Sequence, residues 1–402
     1  MDILPSKATH QQTKLFNQRL VLKTIYDQGQ ISRADVARLT KLTRVTVSEI
    51  VADLLDVGLV AEVGRSPSAG GKAPILLSVV ADAYHLIGLD LANDELRGAI
   101  LNLRGEICHE VSLPLQDREG EAALKLVYEL LDALVAKVER PLLGIGIGTP
   151  GLLDTTRGVV RRAVNLGWED LPLGSLLEER YQQPVYVAND SQVTALAEHI
   201  FGAGKSVASL AAIRIGRGIG AGIILNRQLF QGDGFGAGEI GHISISPTGE
   251  PCRCGNVGCI ETMGSTLAMA HRAQTLAAET PTSLLNQRKS PMSAITFEDV
   301  VTAYQAGDAV AMRVAQEAAQ AVSFAIACLV SAVNVHCVLL VGSATDLGPA
   351  WLGTLREETR KRALPILLQE TEIAYGELGE NSVILGASAL LLTEELGLSL
   401  ER

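Results

Sequence analysis

Three of the six cysteines fall within eight residues of the stretch GEIGHISISPTGEPCRCGNVGCIETMG, Gly238 to Gly264. Cys252, Cys254 and Cys259 follow His242, and together they make four soft or borderline ligands. Zinc favours such tetrahedral Cys/His sets, and a closed set of four is structural rather than catalytic. The alternative is three unlinked buried thiols. It suits this stretch poorly, because the loop is Gly-rich, polar and short of apolar residues. A bound metal would hold it in shape. Glu239 and Glu261 flank the ligands, so their carboxylates would be fixed where substrate hydroxyls can be bound. The other cysteines, Cys108, Cys328 and Cys337, sit in apolar stretches and read as buried small hydrophobes.

A second set of residues points to DNA. Within ISRADVARLTKLTRVTVSEIVADLLDVGLV (Ile31 to Val60), Ser32 with Asp35 resembles a capping box and should start a short helix. Thr43 can cap a second helix, where Val47, Ile50, Val51, Leu54 and Leu55 form one apolar stripe and Gly58 ends the run. A preceding helix over roughly Asn17 to Asp27 would close a helix-turn-helix. Two short strands, LVAEV and APILLSV, bracket the loop GRSPSAGGK, which makes the motif winged. Opposite the apolar stripe lie Val45, Thr46, Ser48 and Glu49, with Arg44 in the first turn. These residues would face the major groove, and Arg65 and Lys72 of the wing would reach the backbone. The other reading of these helices is a protein-interaction module.

From about Ala81 strands alternate with helices, which indicates an α/β body. HLIGLDLANDELRGAILNLRGEICHEVSL reads as three strands, and LAAIRIGRGIGAGIILNRQLFQGD repeats the idea. This duplication suggests two similar lobes with a cleft between them. The strand PVYVAND ends in Asn189 and Asp190, and Asn165 lies in the loop NLGW. Polar residues at the carboxyl ends of such strands tend to face a ligand crevice. Together they suggest a polyol or sugar site.

At 402 residues the chain is too long for one core, so two or three domains are expected. The net charge of −11 is uneven. Residues 1–78 carry ten Lys and Arg against seven Asp and Glu, and the remainder carries 24 against 38. A slightly basic head on an acidic body fits local DNA contact and a separate ligand. The start of the chain shows no signal-peptide pattern, and no long apolar run stands out, so the expected location is cytoplasmic with no membrane partner.

GEIGH with CRCGNVGCIE resembles the two signature motifs of the ROK family (repressors, open reading frames, kinases). GIGTPG, NLGW, VAND and LGASALLL follow in that family's order, and the winged head is similar to its repressor branch, which holds the N-acetylglucosamine, Mlc-type and xylose repressors. The resemblance implies an actin-like, two-lobed sugar-kinase fold behind a winged helix-turn-helix. The head would span residues 1–78. The first lobe would span 79–200, completed by a helix over about 381–402, and the second lobe 201–380. It further implies a sugar held by Asn165, Asn189, Asp190, Glu239, His242 and Glu261, with His242 touching both sugar and zinc. Asp190 matches the catalytic base of family kinases.

One departure matters. Family kinases carry Asp-x-Gly-Gly-Thr where this chain reads DLAND, Asp90 to Asp94. Ala92 and Asn93 replace the glycine pair whose N–H groups approach ATP phosphates, and Asp94 and Glu95 would repel them. The glycines of GRGIGAG (Gly216 to Gly222) suit a tight hairpin equally well. The expectation is a sugar-responsive transcriptional repressor with one structural Zn2+ per chain and no ATP. Its partners would be operator DNA, a sugar or sugar phosphate effector, and its own copies in a homodimer or homotetramer. The alternative is an ATP-dependent sugar kinase with an appended DNA-binding head.

Overall fold

Polar caps set the first elements. Helix α1 (His10–Gln28) is followed by a two-residue strand β1 (Ile31–Ser32), too short to show in the sequence pattern. The Ser32 hydroxyl accepts from the Asp35 N–H at 3.2 Å and starts helix α2 (Arg33–Thr40). The Thr43 hydroxyl accepts from the Thr46 N–H at 3.1 Å and starts α3 (Arg44–Asp56). Strands β2 (Val60–Arg65) and β3 (Ile75–Val79) form an antiparallel pair, and β1 adds to the far edge of β3. Val47, Ile50, Val51 and Leu54 are buried as the stripe requires, and Leu55 is half-buried. The structure is a computed structural model that describes residues 10–65, 73–91, 94–234, 236–288 and 295–398. Lys72 and the pair Ala92–Asn93 lie outside the described residues.

Two five-stranded sheets make up the body. In the first, β4 (His85–Asp90), β5 (Glu95–Asn102) and β6 (Ile107–Pro114) form an antiparallel meander. Helix α4 (Glu121–Val135) then crosses over, and β7 (Leu142–Thr149) pairs parallel to β4. A small sheet of β8 (Leu152–Asp154), β9 (Val159–Ala163) and β10 (Trp168–Leu171) intervenes, followed by α5 (Leu173–Tyr181). Strand β11 (Val185–Asn189) adds parallel to β7 and runs straight into α6 (Asp190–Ile200).

The second sheet repeats this plan. Strands β12 (Leu210–Ile215), β13 (Ile219–Leu225) and β14 (Gln228–Leu229) form the meander. The crossover is longer and holds α7 (Glu261–Gly264), α8 (Thr266–Glu279), α9 (Leu284–Arg288), α10 (Phe297–Gln305) and α11 (Ala309–Val333). Then β15 (Cys337–Val341) pairs parallel to β12. After α12 (Pro349–Arg360) and α13 (Pro365–Leu368), β16 (Glu372–Tyr375) pairs parallel to β15. The orders β6-β5-β4-β7-β11 and β14-β13-β12-β15-β16 are the same.

The chain closes with α14 (Ser382–Glu394), apolar on nearly all sides, which places it in a core rather than on a surface. It packs against α6, β4 and β7 of the first sheet. Helix α11 is long and apolar enough by length and composition to cross a membrane, but it is mostly buried in the core behind the second sheet. Two cysteines depart from the sequence reading. Cys108 is exposed because β6 is an edge strand, and Cys328 is exposed on the outer face of α11, whereas Cys337 is buried.

The head shares its core with the body. Val21, Leu22 and Ile25 of α1 belong to one buried cluster with Leu86, Leu103, Leu391, Leu392 and Leu398. The Tyr26 hydroxyl donates to the Leu103 carbonyl at 2.9 Å, and Arg19 donates to the Glu394 carbonyl at 2.8 Å.

Candidate functional site

The loop after β14 is shaped by close backbone approaches. Gly238 has φ +98°, and a methyl group there would lie 1.8 Å from the Ala221 carbonyl oxygen. Gly258 has φ +67°, and a methyl group would lie 1.8 Å from the Ser246 oxygen. Only glycine fits such positions. Between them the chain doubles back through short bridges, Ser244 opposite Cys259 and Pro251 opposite Val257.

This folding gathers the four expected ligands. One donor atom each from His242, Cys252, Cys254 and Cys259 lies within 4.8 Å of the others. The His242 Nδ1 is 3.5 Å from the Cys252 Sγ, and the Cys254 Sγ is 3.7 Å from the Cys259 Sγ. Tetrahedral zinc with Zn–S bonds of about 2.3 Å needs ligand atoms roughly 3.5–3.8 Å apart. The Asn256 N–H holds the Cys254 thiol below its ordinary pKa, whereas burial pushes the Cys252 thiol up and the Cys259 thiol up to about 12, so a metal would have to displace the protons of those two. The other ring nitrogen of His242, Nε2, faces the Glu239 carboxylate at 3.8 Å. That separation is too long for a direct hydrogen bond, so Nε2 stays open toward the cavity that both residues line.

A cavity of about 710 Å³ lies beside this cluster, between the two sheets, and all six expected sugar ligands line it: Asn165, Asn189, Asp190, Glu239, His242 and Glu261. Their individual partners refine the expectation. Asn189 is the N-cap of α6. Its Oδ1 accepts from the Ser191 N–H at 2.9 Å and its Nδ2 donates to the Gly151 carbonyl at 3.1 Å, so its first duty is to the backbone. Glu261 accepts from the Ile219 N–H at 2.9 Å. Asn165 is exposed at the mouth, where Arg253 of the cysteine loop donates to its Oδ1 at 3.2 Å. Glu239 is half-buried. Burial first, and then the nearby Asp190 and Glu261, push its carboxyl up to about 7.

Two arginines that sequence reasoning missed line the same cavity. Arg214, at the end of β12, donates to the Asp190 Oδ2 at 3.0 Å, and both side chains are nearly buried. Arg217, in the turn between β12 and β13, pairs with Asp94 across the cleft. Asp94 therefore has a local cation as partner, whereas the sequence reading left its charge bare. Glu95 accepts from the Ser112 hydroxyl and takes no part in the cavity. No motif signals either arginine. The repeated meander is the one clue, because it places the β12–β13 turn opposite the β4–β5 turn.

In the head, Arg44, Val45, Ser48 and Glu49 are exposed and Thr46 is half-buried. Val45 is 68% exposed, a large apolar group that no intramolecular contact explains. Arg65 is exposed at the end of β2.

A profile of the ROK family matches residues 86–394, most of the chain. The chain belongs to the ROK family. Among ROK proteins it is 32% identical over 391 residues to the xylose repressor of Caldicellulosiruptor bescii, an alignment that spans 96% of this chain and 98% of the repressor. Among solved structures it is similar to a ROK family transcriptional regulator described as a homologue of the E. coli MLC protein. That likeness has a TM-score of 0.84 and 26% identity, and it covers 96% of this chain and 98% of the regulator. It is also similar to a ROK family glucokinase from Streptomyces griseus solved with glucose and AMPPNP, with a TM-score of 0.69 and 28% identity. That match covers 98% of the kinase but 76% of this chain. The body thus has the actin-like, sugar-kinase-type ROK fold, and the likeness to regulators extends over nearly the whole chain.

Proposed function

We propose that this chain is a sugar-responsive, DNA-binding transcriptional repressor of carbohydrate-metabolism genes. One observation carries the reading. A single chain combines an outward-facing helix α3 with a cavity lined by amides, carboxylates and a histidine that suit sugar hydroxyls. In this reading residues 1–78 are a winged helix-turn-helix. Arg44, Val45, Thr46, Ser48 and Glu49 meet the major groove, the exposed Val45 suits a thymine methyl group, and Arg65 and Lys72 meet phosphates. Residues 79–200 with the C-terminal helix form one lobe, and residues 201–380 the other.

The four-ligand cluster suits zinc. When bound, the metal would supply no chemistry beyond fixing the loop; His242, Cys252, Cys254 and Cys259 would hold it. The loop in turn presents Glu239 and Glu261 to the cavity. Asn165, Asn189 and Asp190 approach the sugar from the first lobe, and Glu239, His242 and Glu261 from the second. A sugar spanning both lobes favours one cleft width. It alters DNA affinity only as far as it binds the two cleft states differently. Because α1 is packed into the core of the first lobe, movement of that lobe carries the head with it. Two heads on paired half-sites require at least a dimer, built through the body in the cytoplasm. In such a dimer, sugar binding would respace the heads and release the operator.

ATP turnover is not part of this reading. A sugar kinase needs a base beside the reacting hydroxyl and a cradle for the phosphates. Here Asp190 is engaged by Arg214, the glycine pair is absent from the sequence at 92–93, and Arg217 with Asp94 spans the cleft. A thermal-shift screen over aldoses, N-acetylhexosamines and their 6-phosphates tests the proposal, followed by operator binding with the best ligand. A ligand that stabilises the protein and weakens operator binding is expected. Stabilisation by none of these sugars would contradict the reading.

A further inference from the structure

A second cavity, of about 510 Å³, lies at the seam where α1 of the head meets the body. Four cations line it: Lys23 from α1, Arg104 from the β5–β6 turn, Lys205 from the segment after α6, and Arg227 from the β13–β14 turn. The one carboxylate in its lining, Asp27, is already paired with Lys23 at 2.9 Å. Among the described residues, Arg104, Lys205 and Arg227 form no ion pair, so three positive charges converge from separate segments on a chain whose net charge is −11.

Two of the cations are held in place. The Arg104 guanidinium stacks 4.2 Å above the Tyr26 ring and donates to the Tyr26 carbonyl at 2.7 Å. The Lys23 side chain is only 14% exposed. Arg227 occupies an unusual backbone position. The two-residue hairpin turn Asn226–Arg227 has φ values of +50° and +67°, a turn that ordinarily takes Asn-Gly. A bulky residue is disfavoured at that second position, yet this chain places an arginine there. His199 is buried on the same wall. Burial first, then Arg227 and Lys23, hold its pKa below the ordinary value.

We propose that this seam cavity is a second ligand site, which takes a small phosphorylated metabolite distinct from the sugar of the cleft. Its volume falls in the range of small-molecule sites. Its concavity suits a free small anion better than the backbone of a duplex, which phosphate-binding residues meet on outward faces. A ligand here touches α1 and the body together, so it would fix the head against the body. The existence of the site does not depend on the repressor reading. Only an effect on operator affinity does.

Calorimetric titration with inorganic pyrophosphate, at ionic strength held constant with sodium chloride, tests the site in the full chain. Saturable binding of one pyrophosphate per chain is expected. Arg227→Gly should weaken it at least tenfold, and this variant relieves the positive-φ strain, so its thermal midpoint should be no lower than wild type. Lys205→Gln, on an exposed side chain, should do likewise, and both variants should keep the sugar-induced thermal shift. Absence of saturable binding, or equal binding by both variants, would overturn the proposal. Weaker operator binding by the variants with no anion present would assign these cations to DNA phosphates and would overturn it too.

Discussion

The two sheets of the body share one strand order, yet their first hairpin turns bring opposite charges to the cleft. The β4–β5 turn of the first brings Asp94, and the β12–β13 turn of the second brings Arg217. The strands behind these turns are nearly all apolar and buried, so the plan common to both lobes is a matter of packing. What differs lies in turns and crossovers. The second lobe's crossover holds the cysteine loop, whereas the first lobe inserts, between β7 and β11, the small sheet that carries Asn165 to the mouth. Repetition of a packing plan made two walls, and the chemistry came from the segments that packing leaves free.

That contrast can be broken at the cysteine loop first, where the largest effect is expected. The loop is shaped by its glycine contacts and short bridges, and a metal in the four-ligand cluster would fix it further. Cys254→Ser should lose one zinc per chain by metal analysis and abolish the sugar-induced thermal shift, because Glu239 and Glu261 lose their support. A wild-type protein purified without chelator, with metal content near zero and a normal sugar response, would contradict this.

Next is the first-lobe wall. Asp190→Asn keeps the shape and removes the charge. A charged hydrogen bond contributes about 1.5–3 kcal/mol, so sugar affinity by calorimetry should fall roughly 10- to 100-fold. Loss of the partner also frees Arg214. An unchanged affinity would remove Asp190 from the sugar site.

In the head, Arg44→Ala should weaken operator binding by about 1–3 kcal/mol if the side chain reads a guanine, with sugar affinity intact. Point substitution is the sharper tool here. Deleting the head would uncover Leu86, Leu103, Leu391 and Leu392 and damage the first lobe as well. The smallest effect belongs to the cross-cleft pair itself. Asp94 is 80% exposed at its side chain, so Arg217→Ala should change stability by under about 1 kcal/mol in denaturant unfolding.

Much of this was legible in the sequence, for physical reasons. Ser32 and Thr43 announced their helices because a cap is a local hydrogen bond, made three residues away. The ligand cluster was legible because its spacing is short and its chemistry rare. The cavity lining was readable from motif order. The Asp190–Arg214 pair was not, since it joins residues 24 apart across a sheet end, and neither was the Arg253–Asn165 bond, 88 apart. The exposure of Cys108 and Cys328 also escaped notice. Local hydrophobicity tells that a strand or helix is apolar but not which side faces out. The fusion of the head's core with the first lobe depends on α1, α14 and two turns meeting, which no single window of sequence contains.

The central claim is that sugar is sensed and not phosphorylated. Its most direct test measures operator affinity and ADP release in parallel, on the wild-type protein, over one panel of sugars with ATP and magnesium. A sugar that weakens operator binding without sugar-dependent ADP release is expected. ADP release at ordinary kinase rates of about 1–100 per second, with operator affinity indifferent to sugar, would contradict it.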